Sequence, residues 1–372
     1  MTSVALISAF RMHTGTSNAM LDYYSAFLEL GYDVKIYQLR SCNKAFEYPQ
    51  QAIFIDGFSP DSRLCRFLFP FDLLFAMPHR IENLSEDIII LTDPVLLKLV
   101  KNFPNSIVII YDLRDLTRYS KSLLRKVFYL YLFHFLKKSR DIIVVSDYTK
   151  ELLIQKLRLK KEINVLNLCS RLNGKNLATI ETRTQNLTRF KEFRILYVAA
   201  DRPYKNIKLF VQVASLLQET HNGFRFKFIL ISKLRHSTKR LISKSNIKNI
   251  EIIEEIDDIA HIYSDTHLLL FPSLIEGFGL PIVEAMNFGI PIICSNLRPM
   301  SDIVGNSGIM LDPIRPLEWK ESIIKLTEIE FYNKLSLASL ERSKLFSYEI
   351  FKDELAKLMC KSMKKKGDQK EV

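Results

Sequence analysis

The chain has 372 residues, of which 48% are apolar and 25% are charged, a balance typical of globular proteins. This length exceeds what one ordinary hydrophobic core contains, so it predicts two domains. The formal charge of +12 indicates an anionic partner, which is a nucleic acid, a phosphorylated small molecule or an acidic membrane surface. The sequence has no zinc-ligand spacing, aromatic RNA-binding run or basic zipper, which argues against nucleic acid.

The cysteines and the longest apolar runs bear on the cellular location. Five cysteines are scattered along the chain without a CxxC pair, which favours reduced thiols in a cytosolic protein. The N-terminus reads directly as a buried strand, so we expect no signal peptide. The longest apolar runs are about half the length needed to cross a bilayer. We therefore expect a cytoplasmic protein that is soluble or peripheral at a membrane.

The first half of the chain reads as alternating strands and helices. Residues 3–10 form an apolar run typical of a buried strand, a helix follows from Ser17 to about Leu30, and a strand resumes at residues 34–37. This strand–helix–strand unit is the building block of a parallel sheet. Short β-branched runs predict further strands at residues 52–55, 87–91, 106–111 and 141–145. We assign residues 1–181 to an N-terminal domain.

The second half of the chain repeats the same rhythm. Residues 182–193 are polar and unpatterned, and we expect them to form a linker. Strands are then predicted at residues 194–198, 226–231, 250–253, 268–271 and 291–294. We assign residues 194–346 to a C-terminal domain and residues 347–372 to a last helix with a basic tail. Two doubly wound α/β domains facing across a cleft would bind a ligand at the carboxyl ends of their strands.

One strand-to-helix junction, residues 271–286, carries the strongest chemical signal. Glu276 follows the end of a buried strand, and Gly277 and Gly279 allow a close approach of the backbone. The helix that begins next directs free N–H groups and a partial positive charge towards a phosphate or sugar oxygen. Glu284 is expected in the first turn of that helix. Two carboxylates placed there can bind sugar hydroxyls, although an ordinary turn with a helix-dipole carboxylate is the alternative interpretation.

This junction resembles the Glu-x7-Glu motif of the retaining family 4 glycosyltransferases, also called glycosyl transferases group 1. The family pattern E-G-F-G-L-P-x-x-E-A-M is reproduced without a gap from Glu276 to Met286, and the resemblance continues to Pro313. It implies the GT-B fold, with two Rossmann-like domains and the acceptor on the N-terminal side. It also implies a donor site in which Glu284 holds the nucleotide ribose. The donor sugar would be held by Glu276 and by the backbone of Gly277, Phe278 and Gly279, with Leu280 as a further donor-binding residue.

The resemblance also implies cations that neutralise the leaving diphosphate in place of a metal. Lys205 matches the lysine of the family. Many members have Gly-Arg where this chain has Ala199-Ala200, and Arg202 is the candidate substitute for that arginine. The alternative for both cations is a solvated surface charge.

The N-terminal half resembles the family less closely. Tyr111-Asp112 occupies the place where many members have His-Asp, and Gly15 lies in a loop where many have two glycines. We expect Asp112 and Gly15 on the donor side of the cleft, with a structural role as the alternative for Asp112.

The implied reaction transfers a sugar from a nucleoside-diphosphate sugar, as co-substrate, to a glycan, lipid or protein hydroxyl. The resemblance implies retention of the anomeric configuration by front-face attack, without a metal or a cofactor. Two alternatives remain open: a degenerate protein that binds nucleotide-sugars without turnover, and a glycoside hydrolase that uses Glu276 and Glu284.

A basic segment, Lys121–Arg140, surrounds an apolar and aromatic middle. Such a pattern suits a helix at a membrane surface, with cations for anionic lipid. Apolar residues on all sides of a helix equally indicate a core element. Both interpretations stay open at this point.

Overall fold

The computed structural model describes residues 1–8, 15–39, 52–55, 81, 84–117, 119, 123–172, 180–219, 221–256 and 258–368. The chain forms two compact units. The first combines Met1–Cys169 with Tyr348–Val372, and the second comprises Ser170–Ser347. The chain therefore returns to the first unit after completing the second, whereas the sequence predicts a separate terminal segment at residues 347–372.

The first unit is built on a parallel sheet of seven strands. They are β1 (Ser3–Ser8), β2 (Asp33–Leu39), β3 (Ala52–Ile55), β4 (Ile88–Leu91), β5 (Ile107–Ile110), β6 (Asp141–Val144) and β7 (Ile163–Val165). Their order in the sheet is β3-β2-β1-β4-β5-β6-β7. Because helices cover both faces of such a sheet, its central strands are apolar at nearly every position. The predicted strand–helix–strand pattern is confirmed, and residues 9–10 of the first predicted strand lie outside the described residues.

Besides the last helix of the chain, the described part of the first unit contains α1 (Gly15–Glu29), α2 (Leu123–Phe133) and α3 (Asp147–Leu157). Short 3-10 helices lie at Pro94–Lys101, Arg114–Leu116 and His134–Lys138. The helix that we expect to start near Ser17 already includes Gly15, and residues 11–14 lie outside the described residues. Ser146 caps α3 as its sequence predicts, because its hydroxyl oxygen accepts the Thr149 N–H at 3.2 Å.

The second unit contains a parallel sheet of six strands. They are β8 (Glu192–Val198), β9 (Arg225–Ile231), β10 (Ile250–Ile253), β11 (Leu268–Phe271), β12 (Ile292–Ser295) and β13 (Ile309–Leu311). Their order is β10-β9-β8-β11-β12-β13. The sheet grows in one direction from β8 to β10 and in the other from β11 to β13. The carboxyl ends of β8 and β11 therefore form a topological switch point, where open α/β sheets bind their ligands.

Eight α-helices of the second unit surround this sheet in the described part of the chain. They are α4 (Ile180–Phe190), α5 (Ile207–Leu216), α6 (His236–Lys244), α7 (Ile259–Ser264), α8 (Leu280–Asn287), α9 (Met300–Val304), α10 (Pro316–Lys325) and α11 (Ile329–Ser343). Short 3-10 helices lie at Pro203–Lys205, Gly305–Ser307 and Lys344–Phe346.

The linker predicted at residues 182–193 is wrong: most of it is α4, and β8 begins at Glu192. The helix is anchored by Leu187, which is fully buried, and by Arg183, which is only 2% exposed. The Arg183 guanidinium donates to the carbonyl oxygens of Phe288 at 2.7 Å and Gly289 at 3.3 Å. Arg183 occupies a position on the buried face of α4 where an apolar residue is usual. The sequence therefore shows no amphipathic helical pattern in this segment.

The last helix, α12 (Tyr348–Asp368), packs against α1 of the first unit. The Phe351 ring meets the Tyr23 ring edge to face, with 4.9 Å between the centroids. The Tyr348 hydroxyl donates to Glu29 at 2.9 Å. The apolar stripe that α12 buries has helical spacing and consists of Phe351, Leu355 and Met359.

Candidate functional site

The switch point of the second unit brings together two residues that are far apart in the sequence. Lys205 follows β8, Glu276 follows β11, and these two strands are neighbours in the sheet. The Lys205 Nζ lies 2.5 Å from Glu276 Oε1, and only 16% and 11% of the two side chains are exposed. Both residues were predicted as part of the site, and the structure places them in one hydrogen-bonded ion pair.

Local structure determines where Lys205 points. It ends the 3-10 helix Pro203–Lys205, and Asn206 then adopts a left-handed backbone conformation with φ of 56°. The Asn206 amide nitrogen donates to the Pro313 carbonyl oxygen at 2.9 Å, and the Tyr197 hydroxyl donates to the Lys205 carbonyl oxygen at 3.0 Å. The backbone on both sides of the cation is therefore held by hydrogen bonds.

Two aromatic rings line the Lys205 ammonium group. Its Nζ lies 5.6 Å from the centroid of the Tyr204 ring and 5.7 Å from that of the Phe271 ring. Ring faces attract a cation at this distance, and the attraction strengthens where water is excluded. Lys205 is thus presented as a sheltered positive charge and not as a freely solvated one.

The glycine loop leads directly into α8. Gly279 has φ of 132°, a conformation that side chains disfavour, and a Cβ there would lie 3.3 Å from Ile282 Cδ1. Phe278 is buried and packs edge to face on Phe346, with 5.9 Å between the centroids. The Phe278 side chain is therefore part of the core, and its backbone, which the resemblance implies as the donor-binding part, is what the loop presents. Leu280, the first residue of α8, is partly exposed.

Glu284 is the fifth residue of α8 and therefore begins its second turn, not its first as the sequence predicts. The fully buried Tyr263 donates its hydroxyl hydrogen to Glu284 Oε2 at 2.8 Å. Burial raises the pKa of Glu284 above its ordinary value, and the Tyr263 hydrogen bond opposes part of that rise. Tyr263 is not recognisable from the sequence, since a buried aromatic residue 21 positions upstream of Glu284 forms no motif with it.

The far end of α8 is anchored as well. Gly289 has φ of 61°, and a Cβ there would lie only 2.9 Å from Ile180 Cδ1. Its carbonyl oxygen accepts hydrogen bonds from Arg183 and from the Ser336 hydroxyl. A cation at a helix C-terminus complements the helix dipole. The carboxylate of Glu284 and the N-terminus of α8 are therefore held on a rigid element.

Arg202, predicted as the second cation, has an exposed side chain. It makes no hydrogen bond or ion pair with another side chain in the described part of the chain. Its neighbour Asp201 is buried and accepts the Arg235 backbone N–H at 2.8 Å and the Arg235 guanidinium at 3.0 Å. Burial opposes ionisation of Asp201, but hydrogen bonds from Thr238 and Arg235 lower its pKa below the ordinary value. The structure thus adds Arg235 as a cation bound to the loop after β8.

The two predicted donor-binding residues of the first unit have different surroundings. Asp112 follows β5, and its Oδ1 accepts the Arg114 backbone N–H at 3.0 Å. This bond closes a local turn, which is the structural role weighed for it. Gly15 is the first residue of α1.

The carboxyl edge of the first sheet contains buried polar groups, of which only Tyr111 was noted from the sequence. The hydroxyls of Tyr23 and Tyr111 are buried without a hydrogen-bond partner among the described residues. Asp93 is fully buried nearby and accepts the Ser8 hydroxyl at 3.1 Å. Burial, together with the nearby Tyr23 and Asp93, raises the pKa of Tyr111. Buried polar groups without protein partners are uncommon and often mark a functional position.

Metal ligation was not expected from the sequence. Among the residues that the structure describes, no three His, Cys, Asp or Glu side chains are grouped so that they could hold a metal ion.

Comparisons with known proteins show what this chain is similar to. Residues 179–341 match the family model described as glycosyl transferases group 1. The O-antigen chain mannosyltransferase B of Escherichia coli is 29% identical over 41% of this chain and 42% of that protein. The O-antigen chain mannosyltransferase RfbU of Salmonella typhimurium is 22% identical over 60% of this chain and 62% of that protein. The chain thus matches about half the length of these curated relatives.

Solved structures show the fold. Sucrose-phosphate synthase from Thermosynechococcus elongatus superposes with a TM-score of 0.80 at 16% identity, covering 97% of this chain and 99% of that chain. The predicted GT-B fold, with two Rossmann-like units, is confirmed.

Proposed function

We propose that this chain, whose residues 179–341 match the glycosyl transferases group 1 family, is a retaining glycosyltransferase. Its donor is a nucleoside-diphosphate sugar. The observation that carries the proposal is the Lys205–Glu276 pair at the switch point, with 2.5 Å between its charged atoms. A sheltered cation beside a carboxylate suits a donor that combines a diphosphate with sugar hydroxyls. The chain would then act in the biosynthesis of a polysaccharide or glycoconjugate.

The ribose of the donor binds Glu284 in this proposal. A carboxylate has about four lone-pair sites, so one hydrogen bond from Tyr263 leaves capacity for two hydroxyls. The Tyr263 bond also determines the orientation of the carboxylate before the donor arrives. The sugar ring lies against Glu276 and the backbone of residues 277–280, where the N-terminus of α8 favours negative charge.

Lys205 stabilises the leaving diphosphate. While the site is empty, Glu276 compensates the cation, which is costly to leave buried without a partner. During transfer the bond between the sugar C1 and the phosphate oxygen breaks. A bond from C1 to the acceptor oxygen forms on the same face, and the acceptor proton passes to a phosphate oxygen. Charge develops on the phosphate in that step, where a preorganised cation contributes most.

Mannose is the first donor sugar to test. The two relatives from Escherichia coli and Salmonella typhimurium are mannosyltransferases of O-antigen chains. We extend that sugar to this chain as part of the proposal, with a glycan or a lipid-linked glycan as the acceptor. The exposed Arg202 supplies further positive charge in the loop after β8, where the charge of Arg235 is balanced by Asp201.

The glycoside hydrolase alternative fits the site less well. A hydrolase needs one protonated carboxyl group as general acid beside a second carboxylate. Glu276 is paired with the Lys205 ammonium, and a hydrolase would have no use for that cation.

The test measures binding and slow hydrolysis of GDP-mannose, GDP-fucose, UDP-glucose and UDP-galactose by the whole chain. We expect one of them to bind at micromolar concentration and to be cleaved slowly. Lys205→Ala and Glu284→Gln should abolish cleavage, while Lys208→Ala, an exposed lysine on α5, serves as the matched control. Binding of no nucleotide-sugar would overturn the proposal. Tight binding without turnover on any acceptor would favour the degenerate binding protein instead.

A further inference from the structure

Helix α2 of the first unit exposes an apolar face. Leu123, Leu124, Val127, Leu130 and Tyr131 are each between 46% and 83% exposed. At about 100° per residue, these five side chains fall within an arc of about 120° on one side of the helix. Surface helices normally present polar residues on that side. A contiguous apolar patch of this kind marks an interaction surface.

The opposite side of α2 is packed into the protein. Leu132 and Phe133 are buried in the core of the first unit, and Phe128 and Tyr129 pack against that core. Arg125 forms an ion pair with Asp115 at 2.8 Å. The helix is therefore held in place by its inner side, and the outer apolar face is a fixed feature of the surface. The two interpretations of Lys121–Arg140 apply to opposite sides of one helix.

Most of the exposed charges near this face are positive, because the neighbouring acids Asp115 and Asp141 are already paired with Arg125 and Arg140. Residues 121–140 contain six Lys or Arg residues and no Asp or Glu. Lys137 and Lys138 are exposed on the 3-10 helix that follows α2, and the exposed Lys101 lies with its Nζ 5.3 Å from the centroid of the Phe135 ring. Joining two copies of the chain through this face would bring the exposed Lys101, Lys137 and Lys138 of both copies together. An anionic surface is complementary in both charge and hydropathy.

We propose that the exposed face of α2 docks on the surface of an anionic lipid bilayer. Leu and Val side chains enter the boundary between headgroups and acyl chains, Tyr131 lies at the headgroup level, and the lysines contact lipid phosphates. The helix lies along the surface. Among the described residues, no helix is long and apolar enough to span a membrane. This proposal is independent of the donor chemistry of the second unit.

The test is co-sedimentation of the full chain with vesicles of phosphatidylcholine alone or with about one third phosphatidylglycerol. We expect binding to the anionic vesicles that weakens at high salt, because screening reduces the lysine contribution. The triple variant Leu124→Ser/Val127→Ser/Leu130→Ser should lose at least about tenfold in vesicle affinity. Lys137→Ser/Lys138→Ser should lose affinity for anionic vesicles specifically. Leu337→Ser, a leucine 60% exposed on α11 of the second unit, is the matched control.

Two outcomes overturn the proposal. One is wild-type vesicle binding by the triple variant. The other is a wild-type protein that does not bind vesicles but forms dimers, while the triple variant stays monomeric. That result would make this face a contact between two copies of the chain. Donor binding and circular dichroism are measured on every variant, so a folding defect is recognised separately. The triple variant should keep both at the wild-type level, because its three side chains face solvent.

Discussion

The two sheets present polar groups at their carboxyl edges in different ways. In the second unit each candidate carboxylate has a donor: Glu276 has Lys205 at 2.5 Å, and Glu284 has Tyr263 at 2.8 Å. These partners hold the side chains before any ligand is present. Preorganised groups of this kind contribute to transition-state stabilisation without reorganising during the reaction.

At the corresponding edge of the first unit, fewer of the described polar side chains have a partner on another element. Asp112 is engaged by the backbone of its own loop, and the buried hydroxyls of Tyr23 and Tyr111 have no partner among the described residues. The two edges therefore differ in what engages their carboxylates: side chains from other elements in the second unit, and the residues of its own loop for Asp112 in the first. Buried hydroxyls without a partner among the described residues occur at both edges, since Ser232 and Ser295 of the second unit share this property.

The largest effect is expected from removing the cation of the second unit. Lys205→Ala should lower turnover by about 10²–10³-fold, the usual consequence of losing one preorganised electrostatic group. Steady-state kinetics with the identified donor check this, and Lys208→Ala should retain wild-type turnover. Equal turnover in the two variants would show that the Lys205–Glu276 pair is only structural.

The support beneath α8 can be tested through stability. Arg183→Met should lower the free energy of unfolding by about 2–3 kcal/mol, because the carbonyl oxygens of Phe288 and Gly289 lose their buried donor. Urea denaturation measures the change. Arg189→Met, on the exposed side of α4, should change stability by less than about 0.5 kcal/mol. An unchanged free energy of unfolding in Arg183→Met would mean that α4 does not anchor the site.

A smaller effect is expected from Tyr263→Phe. Losing the hydrogen bond that orients the Glu284 carboxylate should weaken donor binding by about tenfold, or about 1.4 kcal/mol. Titration calorimetry at neutral pH measures this. Unchanged affinity would indicate that Glu284 does not contact the donor.

In the same variant, we expect the pH dependence of donor binding to shift. Donor hydroxyls bind the ionised carboxylate, so donor binding should weaken as the pH falls through the pKa of Glu284. Burial has already raised that pKa, and the Tyr263 bond lowers it in part. Tyr263→Phe should therefore move the midpoint to higher pH, and Glu284→Gln should remove the transition. A midpoint that moves to lower pH would contradict this assignment.

The smallest effect is expected in the first unit. Tyr111→Phe removes a buried hydroxyl that has no partner among the described residues. The free energy of unfolding should stay unchanged or rise by up to about 1 kcal/mol, because an unsatisfied buried group is costly. Donor binding should be retained while transfer to the acceptor falls. A clear loss of stability would show that the hydroxyl has a structural partner.

The sequence predicted the elements whose residues are close together. The α/β rhythm gave both sheets, and the run from Glu276 to Met286 gave the loop and helix of the candidate site. Lys205 was placed through the resemblance to the family, and the structure adds its 2.5 Å contact with Glu276. Local pattern suffices here because strand, glycine turn and helix are consecutive.

Long-range contacts were missed. The predicted linker proved to be α4, because Arg183 satisfies carbonyl groups about 105 residues away and leaves no apolar pattern. Tyr263 and Arg235 are recognised only when their partners Glu284 and Asp201 are seen in space. The return of α12 to the first unit depends on packing against α1, which a single sequence does not encode as a local signal.

The central claim is that Lys205 of the second unit binds the diphosphate of a nucleotide-sugar. Its most direct test compares the binding of the nucleoside diphosphate and of the free nucleoside by wild type and by Lys205→Ala, using the base that the donor panel identifies. We predict that the diphosphate strengthens binding strongly in wild type and weakly in the variant, with a ratio between the two effects of about 100-fold, or about 2.7 kcal/mol. The same gain from the diphosphate in both proteins would contradict the proposed role of Lys205.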